Sequence, residues 1–261
     1  IQARKLAAWI RQHFPARTHI GLVSKNHSFW MISDLAIMMA DCVSVPFFPT
    51  LNAEQLSQVL THSDCKLLLV GKLDDWNNMK GGIPSSVKTL ALPDSPAKEL
   101  PQWEIVLDNV APLQENIKPN IDDIFTIIYT SGTTGMPKGA MLTYFATSMA
   151  TEVNLEFMQL NHSDNRFFSY LPLSHIAERC VVETFSIQCG GTVSFVESLD
   201  TFAQNLKDTQ PTHFLAVPRI WTKFQMGILA KMPQKKLNLL LSIPIISGIV
   251  KKKIKEGLGL S

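Results

Sequence analysis

The run from Tyr129 to Gly139 carries most of the side chains in this chain that could do chemistry. It holds three glycines, four Ser or Thr hydroxyls, one proline and one lysine. Glycine lets a backbone approach a ligand closely, and successive N–H groups in such a turn form a concavity for an anion. Hydroxyls can donate to phosphate oxygens, and Lys138 adds a mobile positive charge. The run predicts a polyphosphate-binding loop rather than a flexible hairpin with one solvated lysine.

This loop differs from the Walker-type P-loop. In that motif the lysine directly follows the second glycine and a helix begins there. Here two residues separate Gly135 from Lys138, and residues 140–143 look extended. Because Ile124 to Ile128 has the composition of a buried strand, we expect the order strand–loop–strand.

A second candidate group stands where a predicted strand, Arg166 to Tyr170, gives way to a helix. No G-x-S-x-G elbow surrounds Ser174, so we interpret this serine as a helix cap and not as a nucleophile. His175 could face an anionic or carboxylate substrate, or it could be a structural histidine. Glu178 and Arg179 are expected to form a structural ion pair.

A third candidate group, Pro218 to Trp221, also lies at a predicted strand end. Arg219 could be a phosphate partner or a solvated residue at the helix start. Trp221 could line a pocket, although a tryptophan at such a position more often belongs to the core.

Apolar runs of strand length alternate with helical patterns along the chain. Strands are predicted at His19 to Val23, Val43 to Phe48, Lys66 to Gly71, Val87 to Leu92, Glu104 to Leu107, Ile124 to Tyr129, Arg166 to Tyr170, Thr192 to Val196 and His213 to Val217. Helices are predicted at Ile1 to His13, Ser28 to Ala40, Asn52 to His62, Phe145 to Leu160, after His175, at Phe202 to Asp208 and from Pro218. This alternation predicts an α/β fold with a parallel sheet, whose ligands gather at the carboxyl ends of the strands.

Composition narrows the class of protein. With 261 residues, 46% hydrophobic and 18% charged, the chain can bury a large core. A net charge of +2 gives no reason to expect a nucleic-acid partner. Four cysteines without C-x-x-C spacing predict buried thiols in a reducing compartment. No signal peptide or membrane span is visible, so we expect a cytoplasmic enzyme. Both ends look cut, which predicts a fragment.

The segment from Lys231 to Lys255 places lysines on both sides of a mostly apolar stretch, Leu237 to Val250. This stretch is too short to span a bilayer. Two apolar helical pieces flanked by lysines could rest on an anionic membrane surface. They could equally be packed helices with solvated ends.

Several of these stretches resemble one known family. Tyr129 to Gly139 is similar to the phosphate-loop signature of the AMP-forming (adenylate-forming) enzymes. Tyr170 to Arg179, Ala216 to Trp221 and Lys253 to Gly259 resemble stretches of the long-chain fatty acyl-CoA synthetases. The likeness covers nearly the whole chain.

The resemblance implies an incomplete AMP-binding large domain with layered α/β/α lobes, at 1–119 and 120–261, and no C-terminal lid. It implies a ligase that uses ATP, Mg²⁺ and coenzyme A and converts a fatty acid through acyl-AMP to acyl-CoA. Two alternatives stay open. The parent could be an acyl-AMP ligase that serves a carrier protein, or the fragment could be a non-catalytic piece that binds a membrane surface or a protein.

Family analogy also assigns site residues. Lys138 and His175 would be catalytic, His175 would lie beside the acyl and phosphate groups, and Trp221 would lie near the acyl tunnel. The residues that would hold the β- and γ-phosphates are Thr130, Ser131, Gly132, Thr133, Thr134, Gly135 and Lys138. No metal ligand is assigned in this chain. Tyr144 and Ala146 stand where the family often has histidine and asparagine. Because the adenine site and lid are missing, we expect the fragment alone to be inactive.

Overall fold

The computed structural model describes residues 1–130, 137–158, 160 and 164–260. The chain forms two compact units, which are described separately. Unit 1 comprises residues 1–154 and 171–180, and unit 2 comprises residues 155–170 and 181–261. Residues on both sides of the expected lobe boundary at 119/120 lie in unit 1, and the division into lobes stays a prediction.

The elements alternate as the sequence predicts. The strands are β1 (His19–Val23), β2 (Val43–Phe47), β3 (Leu67–Val70), β4 (Lys88–Ala91), β5 (Ile124–Thr130), β6 (Lys138–Thr143), β7 (Arg166–Ser169) and β8 (Thr192–Phe195). The helices are α1 (Gln2–His13), α2 (Ser28–Met39), α3 (Ala53–His62), α4 (Trp103–Val106), α5 (Tyr144–Phe157), α6 (Ile176–Glu178), α7 (Phe185–Cys189), α8 (Phe202–Thr209), α9 (Pro218–Lys231), α10 (Gln234–Ser242) and α11 (Pro244–Leu258). A 3₁₀ turn covers Lys80–Gly82, and a π-helical turn, Arg179–Thr184, joins α6 to α7.

Unit 1 is built on a six-stranded sheet in the order β4-β3-β1-β2-β5-β6. All neighbours are parallel except β5 and β6, which are antiparallel. Every side chain of β2 and β3 is buried. Near-continuous apolar strands of this kind are typical of parallel sheets covered on both faces. The predicted α/β class is therefore confirmed.

Helix α3 begins where the sequence predicts. The Asn52 side chain accepts from the Gln55 N–H at 2.9 Å, and the Gln55 side chain accepts from the Asn52 N–H at 3.1 Å. This reciprocal capping box satisfies two N–H groups that the first turn would otherwise leave without partners.

The strand predicted at Glu104 to Leu107 is wrong, because the segment forms α4. Trp103 and Leu107 are buried, whereas Ile105 is 77% exposed. Residues four apart share one helix face, so a single helical turn buries both large side chains together. A strand limited to residues 104–107 would not include Trp103, and it would not bury this side chain together with Leu107.

The strand predicted at His213 to Val217 is also wrong. Only His213 forms a bridge, with Phe167 of β7. The neighbouring Thr212 binds Arg166 through both its backbone and its side chain. Its N–H donates to the Arg166 carbonyl at 3.0 Å, and its hydroxyl oxygen accepts from the Arg166 N–H at 2.9 Å. The extended backbone then enters α9 at Pro218, a residue favoured in the first turn of a helix.

Unit 2 contains a two-stranded parallel sheet, β7-β8, and helices α8 to α11. Gly190, at φ 66°, ends α7, because glycine adopts this left-handed conformation without strain. None of the described helices combines the length and apolar composition needed to cross a membrane.

Cys42 and Cys65 are buried free thiols, and Cys189 is a half-buried free thiol. Burial raises the pKa of Cys42 from 9.0 to about 11 and that of Cys65 from 9.0 to about 12. We expect neither thiol to react with DTNB at pH 8 until the chain unfolds, whereas half-buried Cys189 reacts earlier.

Above pH 9 the unfolded chain releases protons that the native chain keeps, so Cys42 and Cys65 lower the free energy of unfolding as pH rises from about 9 to 12.

Labelling followed by mass spectrometry of the modified peptides measures how fast Cys42, Cys65 and Cys189 react. In a Cys189→Ser variant the fast phase should shrink while the slow phase is unchanged. Labelling of native Cys65 as rapid as that of Cys189 would contradict its buried position.

Candidate functional site

The two ends of the glycine-rich loop face each other across an antiparallel strand pair. Thr130, the last residue of β5, lies opposite Lys138, the first residue of β6. The Thr130 hydroxyl donates to the Lys138 carbonyl at 3.5 Å, and both residues are exposed. The predicted order strand–loop–strand is confirmed. The candidate phosphate-binding residues Ser131, Gly132, Thr133, Thr134 and Gly135 lie outside the described residues.

The base of this strand pair is closely packed beneath Lys138. A Cβ at Gly139 would lie 2.8 Å from the Ile127 Cγ2 atom and 3.4 Å from the Tyr129 ring. Tyr129 in turn shares a 2.6 Å hydrogen bond with Nδ1 of His62, the last residue of α3. Glycine at position 139 therefore lets the lysine strand approach β5 closely, and the tyrosine ties β5 to α3.

Strand β5 carries an irregularity at Phe125, five residues before its exposed end at Thr130. Ile124 pairs with Thr143 and Thr126 pairs with Leu142, so Phe125 is left over in the ladder. A residue inserted in this way bends the strand and re-aims its side chain. The Phe125 ring lies 4.5 Å from the guanidinium carbon of Arg179.

His175 is the N-cap of α6 and is exposed. Its Nδ1 atom accepts from the Ala177 N–H at 3.2 Å. A neutral imidazole that accepts at Nδ1 carries its proton at Nε2, so His175 can offer an N–H donor to an oxygen anion. The interpretation of Ser174 as the cap is wrong, because His175 takes that role. The Ser174 hydroxyl is buried and has no hydrogen-bond partner among the described residues.

Asn26 holds the turn that leads to His175. Its side-chain amide donates to the Leu171 carbonyl at 2.6 Å, and its carbonyl oxygen accepts from the Leu173 N–H at 3.0 Å. Asn26 lies three residues after the carboxyl end of β1. Sequence reasoning missed this residue, since nothing in the local pattern links it to residues 171–173.

A buried ion pair joins the segment after His175 to α2. Arg179 contacts Asp34 at 2.5 Å, and both side chains are almost fully buried. Arg179 also donates to the Thr126 hydroxyl of β5, and Asp34 accepts from the Ser44 hydroxyl of β2. Arg179 is thus part of a buried ion pair with Asp34, a partner that the sequence does not indicate. The pair predicted between Glu178 and Arg179 stays a prediction.

The described parts of this site share one edge of the sheet. Strands β1, β2 and β5 are parallel neighbours, so their carboxyl ends point the same way. Asn26 follows β1 and Thr130 ends β5, two strand positions away. At the usual spacing between neighbouring strands, β1 and β5 are about 10 Å apart. The edge thus carries a cationic loop end and an imidazole N–H donor.

Trp221 belongs to unit 2 and is 47% exposed, so it is not a core residue. Its indole N–H donates to the Ala216 carbonyl at 3.0 Å. Its ring lies edge-on to Phe214 at 6.0 Å and to Phe224 at 5.8 Å. These rings continue into a cluster of aromatic side chains formed by Phe168, Tyr170 and Phe202. Arg219 is exposed.

The described residues contain no group of three or more His, Cys, Asp or Glu side chains placed to hold a metal ion.

Three kinds of comparison relate this chain to known proteins. The chain is 30% identical over 263 residues to long-chain-fatty-acid–CoA ligase 5 of Mus musculus, covering 92% of this chain and 38% of that protein. It is 31% identical to fatty acyl-CoA synthetase A of Dictyostelium discoideum, covering 92% of this chain and 40% of that protein. The chain thus spans about two fifths of the length of these curated relatives.

The fold is shared with solved acyl-CoA ligases. A long-chain-fatty-acid-CoA ligase of Archaeoglobus fulgidus superimposes with a TM-score of 0.70 at 24% identity, over 84% of this chain and 44% of that one. ATP-bound MatB of Rhodopseudomonas palustris superimposes with a TM-score of 0.71 at 20% identity, over 85% and 44%. The family model described as AMP-binding enzyme matches residues 1–248. The chain therefore belongs to the AMP-binding enzyme family.

Proposed function

We propose that the parent protein is an AMP-forming long-chain fatty acid–CoA ligase, which activates a fatty acid with ATP and transfers the acyl group to coenzyme A. The observation that carries this proposal is the pairing of Thr130 with Lys138 on the sheet edge that also holds the His175 turn. The names of the relatives support the acyl substrate, and the family supports adenylate formation.

In this proposal the loop receives the β- and γ-phosphates. Thr130 offers a hydroxyl and Lys138 a positive charge where negative charge accumulates on the departing pyrophosphate, and preorganised donors contribute most at that point. The Nε2–H of His175 donates to an oxygen of the acyl or phosphate group. Mg²⁺ supplies charge neutralisation when it is bound with ATP.

The acyl chain is the part of the substrate that needs an apolar surface. We assign it to Trp221 and the aromatic side chains around it, because rings such as Phe214 and Phe224 offer apolar faces next to the half-exposed indole. We place the parent protein in the cytoplasm, with a peripheral contact to the inner membrane surface through residues 231–255.

Fatty-acid-dependent ATP–pyrophosphate exchange in the full-length parent tests the reaction. We expect exchange without coenzyme A and acyl-CoA formation when coenzyme A is added. A panel of fatty acids of increasing chain length reports the preferred substrate. Exchange with transfer only to a carrier protein would identify an acyl-AMP ligase instead. Absence of exchange with every fatty acid would overturn the proposal.

The 261-residue chain alone is proposed not to turn over, since it spans about two fifths of its relatives' length. Measurable acyl-CoA formation by the purified chain would contradict this part of the proposal.

A further inference from the structure

The positive charge of this chain is concentrated in one segment of unit 2. Nine of the 24 Lys and Arg residues lie between residues 209 and 255, and none of the 22 Asp and Glu residues lies there. The rest of the chain carries more acidic than basic side chains. The overall charge of +2 therefore conceals a strongly cationic surface on α9, α10 and α11, in which Glu256 is the one acidic residue.

The same helices expose large apolar side chains. Leu239 on α10 is 63% exposed, and Ile245 and Ile249 on α11 are 81% and 54% exposed. Helices α9 and α10 bury no side chain completely. Exposed aliphatic residues grouped in this way mark an interaction surface more often than scattered single ones do.

The apolar and cationic residues are arranged in order along the outer side of α11. Residues 245, 249 and 252 follow one another at helical spacing, so Ile245, Ile249 and Lys252 share a face. Val250, Ile254 and Leu258 lie on the opposite, more buried side. At 1.5 Å per residue, Lys252 lies about 10 Å along the axis from Ile245. The outward face changes from Ile245 and Ile249 to Lys252, whose ammonium lies 3.8 Å from the Glu256 carboxylate. The net positive charge at this end of α11 therefore comes from the neighbouring Lys251, Lys253 and Lys255.

Helices α10 and α11 meet at Ile243 without an intervening loop. The junction between them is apolar, with Ile243 and Ile245 exposed. The lysines stand at the ends of the two helices that lie away from the junction, at 235 and 236 on α10 and at 251–253 and 255 on α11. We call residues 243–249, at the junction, the apex, and we call the two groups of lysines the arms.

We propose that this helical pair docks on a membrane surface rich in anionic lipid, with the apex in the headgroup layer and the arms against the lipid phosphates. An apolar insert flanked by lysines is the composition that binds such an interface. Each lysine near an anionic surface strengthens binding by about fivefold. A nucleic acid would match the lysines but would leave the isoleucines without an apolar partner. The inference extends the peripheral contact in the proposed function, but it does not depend on the ligase reaction.

Vesicle sedimentation of the purified chain tests the proposal. We use vesicles of phosphatidylcholine alone and of phosphatidylcholine mixed with phosphatidylglycerol, at low and high salt. We expect tight binding only to the anionic vesicles, weakened by salt. The double variant Lys251→Glu, Lys253→Glu should lower the partition constant at least about 20-fold. Ile245→Ser should lower it by about tenfold, since an aliphatic side chain is no longer buried.

The matched control is Lys98→Glu, Lys118→Glu, which makes the same change of net charge at two exposed lysines of unit 1. It should bind as the unchanged chain does. Equal loss in this control, equal binding to neutral vesicles, or self-association of the chain without vesicle binding would each overturn the proposal.

The full-length parent is measured in the same way. Binding by the 261-residue chain but not by the parent would show that the parent covers the apex, and this result would also overturn the proposal. Pyrophosphate exchange by the arm variant without lipid reports the ligase reaction separately.

Discussion

Replacing Lys138 by alanine in the full-length parent is expected to lower the rate of ATP–pyrophosphate exchange by about 100- to 1000-fold. Lys138 stands exposed at the end of the loop, fixed opposite Thr130 by the strand pair. A positive charge held in advance at this position costs no reorganisation as pyrophosphate departs. Alanine removes the charge but leaves the β-strand backbone in place, so the fold should be unchanged.

Two further variants make this result specific to Lys138. Lys138→Arg keeps the charge and should recover part of the rate, although the bulkier planar group does not reproduce the ammonium. Lys118→Ala removes an exposed lysine elsewhere in unit 1 and should leave the rate unchanged. Exchange in Lys138→Ala at the unchanged rate would refute the role given to this residue.

Replacing Arg179 by methionine is expected to destabilise the chain by about 3–5 kcal/mol. The substitution leaves the carboxylate of Asp34 buried without its cation, and it removes the donor to the Thr126 hydroxyl. Urea unfolding followed by circular dichroism measures the change. The double variant Asp34→Leu, Arg179→Met should be more stable than the single variant, because it no longer buries an unpaired charge.

The exposed pair of Lys25 with Asp74 provides the comparison. Its contact distance of 2.8 Å is similar, but it lies at the surface. Lys25→Met should therefore cost less than about 1 kcal/mol. If Arg179→Met costs no more than Lys25→Met, the buried pair does not stabilise this unit.

Local sequence patterns predicted the strands and loops that frame the site. The glycine-rich run after an apolar strand gave the strand–loop–strand order, because the proline and the displaced lysine argue against a helix. The helix predicted from Asn52 also begins there, since the capping box that fixes its start is complete within four residues. Both features depend on neighbours in the chain.

The residues that sequence reasoning missed act over long separations. Asn26 contacts Leu171, and Asp34 contacts Arg179, each across 145 residues. No local periodicity or motif indicates which asparagine or aspartate will contact a given turn in the folded protein. The strand predicted at Glu104 to Leu107 failed for a related reason, because the burial of Trp103 together with Leu107 outweighed a strand-like composition.

The extra residue in β5 has a consequence for protein engineering. From Thr126 onward, alternate side chains of β5 serve different neighbours: Thr126 meets Arg179, and Tyr129 meets His62. Deletion of Phe125 would place Thr126 directly after Ile124, opposite Leu142 and Thr143, which are already neighbours in β6. The later pairs and the faces of their side chains would therefore be kept, and only the bend and the ring near Arg179 would be lost. The bulge is thus a position at which β5 can shorten by one residue without shifting the residues that lead to the loop.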